Sequence, residues 1–180
     1  RRQRQMCIRD STIAMLTAVY VVLNFAGTVR LGWINISVAS LPVIVGAMLY
    51  GPVGGLLVGL LGAFMGQLLT YGVTATTILW ILPQAARGLL VGIYAKHCGY
   101  SFSRGQLTAA LIGTALVVTA LNTGAMYIDS VIYNYYSYAY VFGGLVVRII
   151  SGAATAVLMV FVAPPVVNLL NRSLDTVRTA

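Results

Sequence analysis

Hydrophobic positions along this chain gather into apolar runs long enough to cross a bilayer, separated by short polar segments. Six such runs are visible: about Ser11 to Ala26, Ser37 to Tyr50, Gly54 to Thr70, Thr74 to Ala95, Gln106 to Tyr127 and Val141 to Leu170. Each approaches the ~20 residues that a crossing helix needs, the second being short for a straight one. GPVGG makes a tight turn between the second and third, and Pro83 bends the fourth. HCGYSFSRG and IDSVIYNYYSYAY are the longer polar loops towards the C-terminus. The pattern predicts an all-α membrane protein, a compact bundle of six transmembrane helices. A basic segment over 1–10 precedes a membrane domain over 11–170, and a tail covers 171–180.

Composition agrees. Of 180 residues, 59% are hydrophobic and 8% charged, where a soluble domain carries about 25% charged residues. A lone chain in lipid must satisfy its backbone internally, so the spans are helices. No large extramembrane catalytic domain fits in the remaining length.

The net charge is +8, and its placement carries the information. Arg1, Arg2, Arg4 and Arg9 precede the first span, Lys96 and Arg104 lie between the fourth and fifth, and Arg172 and Arg178 follow the last. Six crossings put all of them on one side, while the other side carries only Arg30 and Asp129. Both termini are therefore expected in the cytoplasm. No basic face interleaved with aromatics supports nucleic-acid binding. Cys7 and Cys98 are too few for a disulfide framework and read as reduced thiols. The start, RRQRQMCIRD, lacks a signal-peptide cleavage site and leads directly into a span.

Charge inside the apolar runs is the strongest functional signal. Arg148 lies within the last run and Arg87 within the fourth. A guanidinium stays charged in a protein, and at the centre of a spanning helix it costs at least ~3 kcal/mol. Asp and Glu together number only 3, so carboxylate partners are scarce. Either the buried polar groups satisfy one another and backbone carbonyls, or they line a cavity that receives an anionic or strongly hydrogen-bonding ligand. Gln84 shares a helix face with Arg87, while Asn24, Asn122 and Thr123 sit towards the outward ends of their spans. The outward loops hold Trp33, Asn35, Thr74 and Asn134, with Tyr133, Tyr135, Tyr136, Tyr138 and Tyr140 crowded into one of them. An aromatic belt at the headgroups is one reading. A lid over a pocket, with rings stacking on a flat ligand, suits the density better.

Small residues recur three or four apart: Ala14 and Ala18, then Gly55, Gly59, Gly62 and Gly66, then Gly88 and Gly92. That spacing lets helix backbones approach closely. The glycines are expected to pack within the bundle; the alanines suit either internal packing or docking to another membrane protein. Catalysis has little support. The chain has no Glu, and its single His, His97, stands beside Cys98 without the further ligands a metal site needs. No nucleophile elbow and no phosphate-binding loop occurs, so the chain cannot use ATP by itself.

Leu41, Pro42, Gly46, Gly51, Pro52, Gly55 and Gly59, within LPVIVGAMLYGPVGGLLVGLLGAF, together with the AxxxA of the first span, resemble the substrate-binding S components of energy-coupling factor (ECF) transporters. NTGAMYIDSVIYNYYSYAYVFGGLVVRIISG is similar to the region between the fifth and sixth spans in the folate and pantothenate type. The resemblance covers most of the chain. It implies a multi-pass protein of the bacterial cell membrane that captures a water-soluble vitamin from outside, in a pocket capped by the loop between the first two spans. Toppling in the bilayer would be driven by a partner module of one membrane scaffold subunit and two ATPases. ATP and Mg would be used there, with no cofactor or metal in this chain. By the same resemblance Ala14 and Ala18 dock the scaffold, extended by Ser151 and Ala154. Gly62, Ala63 and Phe64 stand where folate-type members commonly carry an acidic residue, which disfavours folate, and thiamine is disfavoured as a cation. Pantothenate is favoured, with Arg148 pairing its carboxylate, Asn122 and Asn134 hydrogen-bonding its polar atoms, Trp33, Tyr136 and Tyr140 walling the pocket, and Arg87 as a further contact. A self-sufficient secondary transporter, a non-transporting scaffold and a membrane enzyme are the rival classes.

Overall fold

The structure, a computed structural model, describes residues 2–31, 34–101 and 103–179. Its elements follow in the order α1 (Arg2–Ala26), β1 (Thr28–Leu31), β2 (Ile34–Ser37), α2 (Ser40–Tyr71), α3 (Thr77–His97), α4 (Arg104–Ile132), α5 (Tyr138–Phe142) and α6 (Leu145–Thr179). Among the described residues five helices are long and apolar enough to cross a membrane.

The count of five rather than six comes from α2, a 32-residue element that contains both the second and third predicted spans. Unbroken, it would be about 48 Å long at ~1.5 Å per residue, well beyond the roughly 30 Å apolar layer. It is broken at Gly51, whose φ of 71° and ψ of −157° are not helical. A left-handed φ suits a residue without Cβ, and Pro52 then starts the second half with a φ already suited to a first helical turn. The two halves turn back on each other. A Cβ built on Gly46 would lie 3.0 Å from Val58 Cγ2, whereas in one straight helix residues 46 and 58 would stand about 18 Å apart. The first half, residues 40–50, rises only about 17 Å, short of the apolar layer for a straight crossing.

Three further differences from the sequence pattern concern element ends. The predicted loop after the first span holds an antiparallel pair of strands, with Thr28 opposite Ser37 and Leu31 opposite Ile34. β-Branched Val29, Ile34 and Ile36 suit extended chain, and β2 packs against α6. The basic N-terminal stretch is helical and continuous with the first span, and α6 likewise runs on through the tail. The aromatic loop is shorter than predicted, because α4 continues to Ile132 and α5 occupies part of the remainder. The start of α4 is fixed by a capping box: Ser103 Oγ accepts from the Gln106 amide, and Gln106 Oε1 accepts from the Ser103 amide.

The core joins Ile13, Leu16 and Tyr20 of α1, Val43 to Ala47 of α2, Leu107 and Leu111 of α4, and Met159 and Ala163 of α6. Glycines bring α2 and α3 together. A Cβ on Gly59 would come 2.5 Å from the Gln84 carbonyl oxygen, and Gly55 and Gly88 face each other backbone to backbone. Gly62 and Gly66 make the same allowance for Tyr20 and Asn24 of α1. The glycine stripes thus pack inside the bundle.

Candidate functional site

Two adjoining cavities lie at the end of the bundle where α1 ends and the second half of α2 returns. The inner one, about 420 Å³, is lined by Tyr20 and Asn24 of α1, Gln67, Thr70 and Tyr71 of α2, Trp80 and Gln84 of α3, and Asn122 of α4. The outer one, about 380 Å³, adds Thr74, Thr76, Asp129, Tyr133, Tyr135 and Tyr140. Gln67, Tyr71 and Trp80 line both. Each volume is of small-ligand size, which spans roughly 300–1,000 Å³.

Helical periodicity builds the wall. Tyr20 and Asn24, Gln67 and Tyr71, and Trp80 and Gln84 are each four residues apart, so each pair stands on one face of its helix. Three apolar helices thereby turn a polar and aromatic stripe inward at the same end. The Gly51 turn is what returns Gln67 and Tyr71 to the level of Asn24.

Asp129 organises the outer cavity. Thr76 Oγ1 donates to its Oδ1 at 2.5 Å, and the Tyr135 hydroxyl donates to its Oδ2. Asp129 is 8% exposed and Thr76 1%. Tyr135 packs edge-on against Tyr140, with ring centroids 5.5 Å apart. The hydrogen bond to Asp129 holds the Tyr135 phenol well above its usual value, and burial adds to the shift.

The residues singled out from sequence divide. Asn122 lines the inner cavity and Tyr140 the outer one. Arg148 does not line either. Its Nη2 donates to the Tyr140 carbonyl at 3.2 Å and its Nη1 to Thr123 Oγ1 at 3.5 Å, so it stands directly behind the outer wall. Arg87 lines a separate space of about 20 Å³ with Ser40, Thr114 and Thr155, room for about one water. Those three hydroxyls donate to the carbonyls of Ser37, Ala110 and Ser151, which leaves their oxygens to accept. Tyr136 is exposed and meets Tyr127 edge-on at 5.5 Å. Asn134 is exposed with a φ of 57°, a left-handed conformation that Asn tolerates in a turn. Trp33 lies outside the described residues. On α1, Ala14 and Ala18 are exposed in a row with Met15, Val19 and Val22; on α6, Ser151 and Ala154 are half-buried.

Sequence reasoning passed over Gln67, Tyr71 and Trp80 as site residues and placed Asp129 in a loop. The i,i+4 recurrence of polar and aromatic residues in otherwise apolar helices was the available signal. Among the described residues no group of three or more His, Cys, Asp or Glu could hold a metal ion.

Residues 11–167 match the family described as ECF transporter, substrate-specific component. The chain belongs to this family. Among relatives of this S component, a UPF0397 protein of Lactobacillus gasseri is 33% identical over 87 residues, covering 47% of this chain and 46% of that protein. The chain thus matches about half the length of that relative. The fold is similar to the solved S component for biotin from an ECF-type ABC transporter, with a TM-score of 0.65 and 20% identity over 94% of this chain and 93% of that one. It is also similar to the S component of a bacterial ECF transporter, with a TM-score of 0.56 and 21% identity over 97% and 99% of the two chains. At such identities the likeness concerns the fold. The family consists of transporter components rather than enzymes.

Proposed function

We propose that this S component captures a water-soluble vitamin from outside the cell in the two adjoining cavities. The observation that carries the reading is the pair of cavities itself: carboxamides, hydroxyls and Trp80 converge at one end of an apolar bundle. Polar side chains set in apolar helices are costly in a membrane unless a partner, a ligand or water meets them. The two halves of α2 count as separate crossings in this reading, which gives six spans and puts both termini in the cytoplasm of a bacterial cell. The exposed Ala14 and Ala18 face, extended by Ser151 and Ala154, docks a membrane scaffold subunit, and two ATPases using ATP and Mg drive the cycle.

Pantothenate remains the favoured vitamin over folate. Asp129 is the charged side chain among those lining the cavities, so a ligand carboxylate belongs away from it, at the Tyr140 end of the outer cavity, nearest Arg148. The amide and hydroxyls of pantothenate then meet the carboxamides further in. The test is to purify the protein in detergent from cells grown in rich medium, denature it and identify the released small molecules by mass spectrometry. A stoichiometric vitamin supports the reading and names the ligand. Absence of any vitamin, together with failure to co-purify with ATPase subunits, would favour a self-sufficient transporter or a scaffold.

A further inference from the structure

The side chains of the inner cavity are polar without being charged. Asn24, Gln67, Gln84 and Asn122 contribute four carboxamides, and Tyr20 and Thr70 contribute hydroxyls. A carboxamide is a donor and an acceptor side by side. It matches an amide, ureido or lactam edge, which presents the same pair in reverse. A carboxylate or ammonium there would be desolvated with no opposite charge on the wall.

Gln84 stands out within this set. Its Oε1 is buried and has no hydrogen-bond partner among the described residues, an unusual state for a buried polar atom. The position of the side chain is fixed from behind: its own backbone carbonyl packs on Gly59, and Pro83 beside it is buried. The terminal torsion of a Gln side chain is broad. Rotation about that torsion turns the oxygen into the cavity that Gln84 lines, where a ligand N–H or O–H can meet it.

We propose that the inner cavity admits the uncharged, amide-bearing end of the vitamin, and that Gln84 selects it. This rests on the vitamin-capture reading above and adds an orientation to it: the neutral end enters first, and any charged group stays in the outer cavity. Gln84 acts by direct contact, with Asn122, another carboxamide lining the cavity, as its counterpart.

The experiment is isothermal titration calorimetry of the purified protein with six vitamins. Pantothenate, biotin, riboflavin and folate each carry an amide, ureido or lactam edge; nicotinate and pyridoxine carry none. The tightest ligand is expected from the first four. Gln84→Leu should weaken it about tenfold or more, because the site then leaves a ligand polar group unpaired. Gln84→Glu should weaken it similarly at neutral pH and recover as pH falls, since a protonated carboxyl again offers a donor and an acceptor. A purely structural role would not produce that recovery. If Gln84→Leu fails to fold, Asn122→Ala carries the same expectation of weaker binding. Nicotinate or pyridoxine as the tightest ligand, or undiminished binding by a folded Gln84→Leu, overturns the proposal while leaving vitamin capture intact. Binding of none of the six overturns both.

Discussion

Thr76 Oγ1 donates to Asp129 Oδ1 across 53 residues of sequence at 2.5 Å, joining the turn before α3 to the last turns of α4. With Tyr135 on the other carboxylate oxygen, this single acid ties two helices and the aromatic segment into one rim. Asp129→Ala leaves a buried hydroxyl without its acceptor, at a cost of about 1–3 kcal/mol. Thermal unfolding in detergent should show a lowered melting temperature. Asp129→Asn, which still accepts through its carbonyl, should lose less.

The same rim defines a pH dependence. Tyr135 has an ordinary value of 10.0 that the hydrogen bond to Asp129 raises. A raised folded-state value means the contribution is complete below the unfolded value and lost as pH rises through the folded one. On the alkaline side, stability from this contact is therefore flat through neutral pH and declines above 10.0. Alkaline absorbance titrations of the protein and of Asp129→Asn should differ, the late-ionising component shrinking once the carboxylate is removed. An alkaline titration curve left unchanged by Asp129→Asn would refute the contact.

The glycines separate by neighbourhood rather than by helix. Gly59→Leu drives a side chain into the Gln84 carbonyl and should prevent α2 and α3 from closing, with loss of the folded peak in size-exclusion chromatography. Gly113 of α4 is exposed, with nothing within 4 Å of its Cβ position. Gly113→Ala should be neutral or stabilise the helix by up to about 1 kcal/mol. Equal behaviour of the two variants would contradict the packing described.

Arg148 stands behind Tyr140, and its role in binding can be divided by substitution. Arg148→Ala removes the donors to the Tyr140 carbonyl and Thr123 as well as the charge. Hydrogen bonds from charged donors contribute about 1.5–3 kcal/mol each, so affinity should fall by about tenfold or more while the protein stays folded. Arg148→Gln keeps a neutral donor. Recovery of affinity in Arg148→Gln would assign Arg148 to positioning Tyr140; continued loss would assign it to the ligand's charge. Unchanged affinity in Arg148→Ala would remove it from the site altogether.

Much of this was legible along the chain. Apolar runs, the scarcity of charge and the small-residue stripes all report on solvent and on close helix contact, which are properties of neighbouring residues on one helix. Asn122 and Tyr140 were also within reach, since a polar residue near a span end and a crowd of tyrosines are local signals. Gln67 and Trp80 were not singled out. Each looks ordinary alone, and their common wall exists only because α2 turns back at Gly51 and α3 packs on it through Gly55, Gly59 and Gly88.

What the sequence determined by itself was the environment: an apolar bundle belonging in lipid, with small residues where helices meet and rare polar groups too costly to be incidental. Hydropathy and spacing settle that because each residue's transfer energy is nearly independent of its distant neighbours. Which polar groups share a cavity was decided only by the tertiary structure. Arg87 went to a small enclosed space and Arg148 to the back of the wall, while Gln84, Asn122 and Asp129 came to line the cavities. Depth along a helix can be counted from sequence, but the direction a side chain faces depends on how helices rotate to bring their glycines together, and that is a property of the assembled bundle.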